Sequence, residues 1–271
     1  MLEDTSAARQ CEVCGATDSR PLLVKDGWPV VCCDRCGLVY VDATLDRAEL
    51  DAFYGQAYFE GDVFAGYMGE REARLHEGRA RVRRLARVAP GGRLLDVGCA
   101  AGFFLAPAAE RYEAVGVEIS DYAARYARER MGLDVVTGEL ADARFPDERF
   151  DVVTLWDTIE HLVEPAATVG EIARITRPGG MLAISTGNVA SRLARRGLEQ
   201  WSLMAPPGHL FFFSPATLGR LLGRHGFDVI RRRGDGVVST RPRLRRLPVT
   251  APLGRLGLGN VMTVYARRSG H

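Results

Sequence analysis

Lysine is almost absent from this chain of 271 residues; of its 36 basic side chains only Lys25 is not an arginine. Long apolar runs are missing too. No stretch approaches the ~20 residues that a membrane-spanning helix requires, so no span is expected. The acidic start, Met1-Leu2-Glu3-Asp4, is not followed by an apolar block, so no secretory signal is expected and the reading is a cytoplasmic protein. There is no internal repeat and no low-complexity segment. Net charge is also scarce, at +2, but the near-neutral total conceals an uneven distribution. From Arg231 to His271 ten arginines face one acid, Asp235, a local +9 that leaves −7 on the preceding residues. Such a segment fits either contact with an anionic partner or a solvated arginine-rich surface. What is present is ordinary: 46% hydrophobic and 26% charged residues, which excludes wholesale disorder.

Cysteine is concentrated at one end. Cys11, Cys14, Cys32, Cys33 and Cys36 precede residue 37, and only Cys99 lies beyond. Cys11-x-x-Cys14 and Cys33-x-x-Cys36 form two knuckles, each followed by a glycine, Gly15 or Gly37, that lets the backbone turn tightly. Four thiolates at this spacing suit tetrahedral Zn²⁺, with Cys11, Cys14, Cys33 and Cys36 as ligands. Cys32 is left over and competes with Cys33 for the second knuckle. A zinc ribbon over residues 1–41 is too small to bury a core, so metal would supply most of its folding free energy. Its role is open between a structural clip or substrate lid and a recognition module. Only Arg9, Arg20, Lys25 and Arg35 are basic there, thin for nucleic-acid binding; no DNA partner is expected.

Residues 42–90 read as a helical linker or lid. It carries Phe53, Tyr54, Tyr58, Phe59, Phe64 and Tyr67, then a charged helix over about 70–88 that ends at Pro90-Gly91-Gly92. Residues 91–271 alternate strand and helix. Strands are expected at 94–97, 114–118, 134–137, 150–156, 181–186, 227–230 and 261–266. Helices are expected at 103–111, 120–131, 165–175 and 214–225. This pattern predicts an α/β domain with a mainly parallel sheet covered on both faces.

Asp96-Val97-Gly98-Cys99-Ala100-Ala101-Gly102 follows the first of these strands and precedes a helix. Small residues at 98, 100 and 102 let a ligand approach the backbone, at the strand ends where open α/β sheets bind ligands. The next strand ends in Glu118, whose carboxylate can accept from two ribose hydroxyls. The spacing is not the G-x-G-x-x-G of dinucleotide sites. Asp96 would repel a pyrophosphate but suits a ligand carrying an ammonium and a sulfonium.

These residues resemble the class I S-adenosylmethionine-dependent methyltransferases. The likeness runs through 94–104, Val115-Gly116-Val117-Glu118-Ile119-Ser120, residues 150–162 and Arg177-Pro178-Gly179-Gly180, in the family's order. It implies a Rossmann-like seven-stranded sheet with its last strand antiparallel. It also implies S-adenosylmethionine contacts from Asp96, Gly98, Ala100, Gly102, Phe103, Glu118, Ile119 and Trp156, with adenine near Glu139 and Leu140. The family's usual middle glycine is Ala100 here. The cysteine knuckles, residues 53–59 and His209-Leu210-Phe211-Phe212-Phe213-Ser214-Pro215 are similar to a bacterial subgroup acting on small molecules, including sugars and natural products. Two other readings stand beside it: an rRNA base methyltransferase with a zinc knuckle, and a non-catalytic module built on the same fold.

Methyl transfer to a hydroxyl or a carbon acid usually needs a base, and histidine is the default near pH 7. Of five histidines, His76 and His225 fall on charged helices and His271 is terminal. His161 follows the fourth strand, and His209 lies in the segment that builds the substrate wall in the family. Asp157-x-x-Glu160-His161 resembles the E-x-x-E-H metal site of ubiquinone-pathway O-methyltransferases, which implies a Mg²⁺-type ion there; Glu-His also occurs at this place without metal. The loop from Arg241 to Gly259 mixes arginine, leucine and proline, suited to a phosphate-bearing or lipid-linked acceptor or simply to solvent.

Overall fold

The computed structural model of the chain describes residues 9–43, 68–235 and 259–270. The linker aromatics Phe53, Tyr54, Tyr58, Phe59, Phe64 and Tyr67, and the loop arginines Arg241, Arg243, Arg245 and Arg246, lie outside the described residues.

Two sheets organise the chain. The first begins with β1 (Ser19–Lys25), β2 (Trp28–Cys33) and β3 (Val39–Val41), all antiparallel. A two-residue strand from much later in the chain, β9 (Phe211–Phe212), completes it by pairing antiparallel to β3. The second sheet has seven strands. β4 (Arg93–Val97), β5 (Glu113–Glu118), β6 (Val135–Thr137), β7 (Phe150–Trp156) and β8 (Thr176–Gly187) run parallel. β11 (Val261–Arg268) inserts antiparallel between β8 and β10 (Phe227–Asp235). The order β10-β11-β8-β7-β4-β5-β6 places the topological switch between β4 and β7. The antiparallel last strand is as expected.

The strands form where branched and apolar residues run unbroken, because both faces of a parallel sheet are buried. Leu94, Leu95, Val152, Val153, Leu182 and Ile184 have no exposed surface. β8 starts earlier than its apolar run. Residues Thr176 to Gly180 belong to it, although the pairing with β7 slips there, from Phe150 opposite Thr176 to Val152 opposite Met181.

Helices cover both faces. α1 (Arg71–Leu85) buries Leu75, Gly78, Val82 and Leu85 against α2 (Leu105–Ala109) and the turn before it. α3 (Asp121–Met131) is capped by the Ser120 hydroxyl, which accepts from Ala123 N–H, and stops at Gly132 in the left-handed conformation. α4 (Pro165–Ile175), α5 (Arg192–Arg196) and α6 (Pro215–Arg224) follow, α6 with a full Ser214–Thr217 capping box. One core cluster runs without a break from the first sheet (Val30, Tyr40, Phe211) into the second (Leu155, Ile184) and its helices (Ile172, Leu221).

Gly78 sets the seat of α1. A Cβ there would stand 2.5 Å from the Phe103 carbonyl oxygen and 3.2 Å from Phe104 Cα, both backbone. Gly78→Ala should therefore push α1 off its seat. A loss of about 1–3 kcal/mol in denaturant unfolding is expected, despite alanine's better helix propensity. Unchanged stability would show that the close approach is soft.

Candidate active site

The switch point gathers the ends of β4, β5, β7 and β8. After β4 the chain turns through Gly98 (φ 72°), Ala100 (φ 47°) and Gly102 (φ 82°). Ala100 thus occupies the left-handed conformation that glycine takes without strain, which explains why glycine is the residue usual in the resembling family. The turn is anchored on β5: Gly98 and Cys99 N–H donate to Val117 C=O at 2.8 and 3.1 Å. Glu118 is buried, and its two carboxylate oxygens accept from Ala100 N–H and Ser120 N–H, each at 2.8 Å. Burial raises its pKa and these amides oppose the rise.

Asp96 is 2% exposed at the end of β4 and accepts from Thr154 Oγ1 at 2.6 Å, across the switch. Burial pushes its carboxyl up to about 7; the Thr154 hydrogen bond and the Arg81 charge hold it down, and Glu118 adds to the rise. Ile119 is exposed beside Glu118, Leu140 is buried and Glu139 exposed just after β6, while Phe103 is buried edge-on to Tyr126 between α1 and α3.

Beyond β7 the chain carries Trp156, Asp157, Glu160 and His161. Trp156 packs against Phe104, ring centroids 5.2 Å apart, and the Arg81 guanidinium lies over the Trp156 ring, 4.8 Å from its centroid. Arg81 also donates to Asp157 Oδ2 and Glu77 Oε1, both at 2.8 Å. Asp157 accepts from Ser185 Oγ at 2.8 Å. Burial would raise its pKa, but Arg81 and then Ser185 bring it below the ordinary carboxylate value. Arg81 is not distinguishable in the sequence because it is one of seven arginines in or beside a highly charged helix; only its i,i+4 relation to Glu77 is visible there.

Glu160, His161 and His209 meet. One donor atom from each lies within 4.8 Å of the others, and the two imidazoles pack edge to face at 4.7 Å. His161 Nδ1 donates to Gly208 C=O at 2.5 Å and His209 Nδ1 to Leu203 C=O at 2.8 Å. A carbonyl can only accept, so Nδ1 carries the proton and Nε2 the lone pair on both rings. Burial lowers both histidine pKa values; the Gly208 carbonyl and Asp157 oppose the fall at His161, while at His209 the His161 charge adds to it and Glu160 opposes it. Burial, then Asp157, pushes Glu160 up to about 7. Glu160 Oε2 is buried here with no hydrogen-bond partner among the described residues, while the Thr186 hydroxyl lies against the same carboxyl and tempers its rise. Trp156 Nε1, packed with Phe104 and Arg81, is also buried without a hydrogen-bond partner among the described residues. The Mg²⁺-type set expected at Asp157, Glu160 and His161 is not what the fold assembles. Asp157 is taken up by Arg81 and Ser185, and the group that forms has His209 in its place, with two nitrogen donors that suit Mg²⁺ poorly.

The four cysteines also converge. Cys11, Cys14, Cys33 and Cys36 offer sulfurs all within 4.8 Å of one another, with Cys11–Cys36 at 3.4 Å and Cys14–Cys33 at 3.5 Å. A tetrahedron with ~2.3 Å metal–sulfur bonds places sulfurs about 3.8 Å apart, so the set fits a Zn²⁺ ion. Both knuckle glycines are left-handed, Gly15 at 73° and Gly37 at 77°. Burial raises Cys11 and takes Cys36 to about 11. Cys33, against a smaller burial effect, is brought to about 7 by the amides of Cys36 and Arg35. Cys32 is excluded: it points to the opposite face of β2, its thiol on the Cys33 carbonyl.

Residues 68–232 match the family described as a methyltransferase domain. The chain belongs to that family. This methyltransferase-family chain is 33% identical over 152 residues to a ubiquinone biosynthesis O-methyltransferase of Thiobacillus denitrificans. The match covers 51% of the chain and 65% of the relative, so it spans less than two thirds of that protein's length. Two solved S-adenosylmethionine-dependent methyltransferases share the fold. That of Thermotoga maritima has TM-score 0.59 at 23% identity, covering 78% of this chain and 98% of its own. That of Archaeoglobus fulgidus has TM-score 0.54 at 20% identity, covering 80% and 99%. No helix among the described residues is long and apolar enough to cross a membrane.

Proposed function

We propose that this protein transfers the methyl group of S-adenosylmethionine to an oxygen of a small hydroxyl-bearing molecule, with Zn²⁺ held by Cys11, Cys14, Cys33 and Cys36 as a structural ion. The observation that carries the reading is the Glu160–His161–His209 group, its histidines half-buried and Glu160 Oε2 buried without a hydrogen-bond partner among the described residues. Polar atoms buried without partners cost free energy unless a ligand satisfies them. The O-methyltransferase relative supports oxygen as the accepting atom.

Bound S-adenosylmethionine supplies an electrophilic methyl on a sulfonium, and the protein's part is orientation and proton handling. Asp96 would accept from the ammonium, and Glu118 from ribose hydroxyls. Leu140 offers an apolar face, with Glu139 beside it, for the adenine. Arg81 and Asp157 fix the rim over Trp156. Burial depresses both pKa values, so both imidazoles are neutral near pH 7, and with Nδ1 protonated it is Nε2 that would take the acceptor's hydroxyl proton. The ribbon packs inward on the catalytic domain, through β9 and a shared core, which supports a small acceptor over an RNA.

Calorimetry with S-adenosylmethionine tests the cofactor half; absence of binding at high micromolar concentration would sink it. His161→Asn and His209→Asn test the rest, assayed on a panel of catechols and sugars. Each is expected to lower kcat/KM by about 10²–10³ with cofactor affinity unchanged. Full activity in both variants would remove the histidines from proton transfer.

A further inference from the structure

The ribbon and the acceptor-side groups are joined by one backbone path. Val41 N–H, at the end of β3, donates to Leu210 C=O at 2.9 Å, and Leu210 N–H donates to Glu160 C=O at 2.8 Å. The two residues after Leu210 are β9, with Tyr40 opposite Phe211 and Val39 opposite Phe212. His209 immediately precedes this path, and His161 immediately follows Glu160. The Tyr40 and Phe211 rings stack at 6.4 Å, and both are about 1% exposed.

A second grip comes from the start of the ribbon. Arg9 donates to the Val41 and Ala43 carbonyls at 3.4 and 3.1 Å and to the Val163 carbonyl at 2.8 Å. Its guanidinium lies 4.9 Å from the Phe211 ring centroid. Glu12 Oε2 accepts from Ala166 N–H at 3.1 Å, in the first turn of α4. The ribbon therefore holds both segments that carry the acceptor-side cluster, the turn 160–166 and the strand that begins at 210. The bonds on Asp96 and Glu118 come instead from Thr154, Ala100 and Ser120, all in the seven-stranded sheet or the turns that end it.

We infer that the ribbon is the positioning element of the acceptor side of this site. Arg9, Val41 and Leu210 set where Glu160 and His209 stand, and a metal ion at the four cysteines keeps that wall ordered while leaving the cofactor side independent of it. The physical reason is size. A ribbon of this length cannot bury enough surface to hold β3 in place by itself, so its order follows the metal, and the order of β9 follows β3. The inference rests on the proposed reading that Glu160, His161 and His209 meet the acceptor. Its test needs no acceptor and so fails separately from that reading.

The full chain is compared with its metal bound and after removal by a chelator. Amide exchange is followed at 208–213 and 160–163 against 94–97 and 115–118, with S-adenosylmethionine affinity measured on the same samples. Metal removal is expected to speed exchange at 208–213 by about 100-fold or more, leaving 94–97 protected and the cofactor affinity within about threefold. Retained protection at 208–213, or a cofactor affinity that collapses with it, would overturn the inference. Arg9→Ala probes the second grip with the cysteines intact. It is expected to shift the imidazole NMR signals of His161 and His209 and to speed exchange at 160–163 about tenfold, with partial rescue by Arg9→Lys, which keeps a donor. Unmoved imidazole signals in Arg9→Ala would remove Arg9 from the positioning set.

Discussion

Asp96→Asn should make the ligand-free protein more stable and a poorer binder of its cofactor. Asp96 is 2% exposed and its carboxyl is pushed up to about 7 from an ordinary value near 3.8, chiefly by burial. Between those two values the folded state holds a proton that the unfolded chain has lost. Stability contributed by this group is therefore full below about pH 4 and falls as pH rises toward 7. Above 7 the folded protein carries a buried, ionised carboxylate, at a cost on the order of 4 kcal/mol. Asparagine keeps the shape and can still pair with Thr154, but has no charge to bury. A gain of roughly 1–3 kcal/mol is expected in urea unfolding at pH 8 and almost none at pH 4. In the proposed site the cofactor's ammonium pairs with that charge, so affinity for S-adenosylmethionine should fall about 100-fold at pH 8. The wild-type affinity should itself weaken as pH falls below about 7, where Asp96 takes up its proton. A variant that binds as tightly as wild type would show that the ammonium is held elsewhere.

Cys33→Ser carries the second large effect. The Cys33 thiol is brought down to about 7, and its sulfur stands 3.5 Å from that of Cys14. Metal analysis after dialysis should give about one zinc per wild-type chain and close to none for the variant. Zinc peptides owe about 10–16 kcal/mol of folding free energy to their metal. Here the ribbon also shares its apolar core with the seven-stranded sheet, so a smaller loss is expected, several kcal/mol, seen as a lower and broader thermal transition. Because β9 is a strand of the ribbon sheet, the damage should reach residues near 211 and not stop at residue 41. Cys32→Ser is the control. Its thiol lies on the other face of β2, so zinc content should stay at one per chain. A metal-free, fully folded Cys33→Ser chain with wild-type stability would contradict the four-cysteine site.

Much of this was legible along the chain because its signals are local. The strand from 150 to 156 and the helix from 165 to 175 coincide with β7 and α4, since an apolar run and a proline at the first helical position each act over a few residues. The turn after β4 was readable for the same reason: a strand, small residues and a helix in sequence. β9 was not. Two phenylalanines give no strand period, and their partner strand is some 170 residues earlier in the chain.

By itself, then, the sequence determined the α/β sheet with its antiparallel strand, the glycine-type turn with Asp96 and Glu118, and the cysteine knuckles. Each depends on neighbours within one element or on a fixed short spacing. Only the tertiary structure decided which groups meet. It gave Asp157 to Arg81 and Ser185, brought His209 beside His161 and Glu160 from 48 residues away, chose Cys33 over Cys32, and made the ribbon sheet end in a strand from the methyltransferase-family region. Those pairings are set by how α1, the ribbon and the segment before α6 pack over the ends of the strands. Packing of that kind sums many weak, long-range contacts, and no local pattern of residues encodes it.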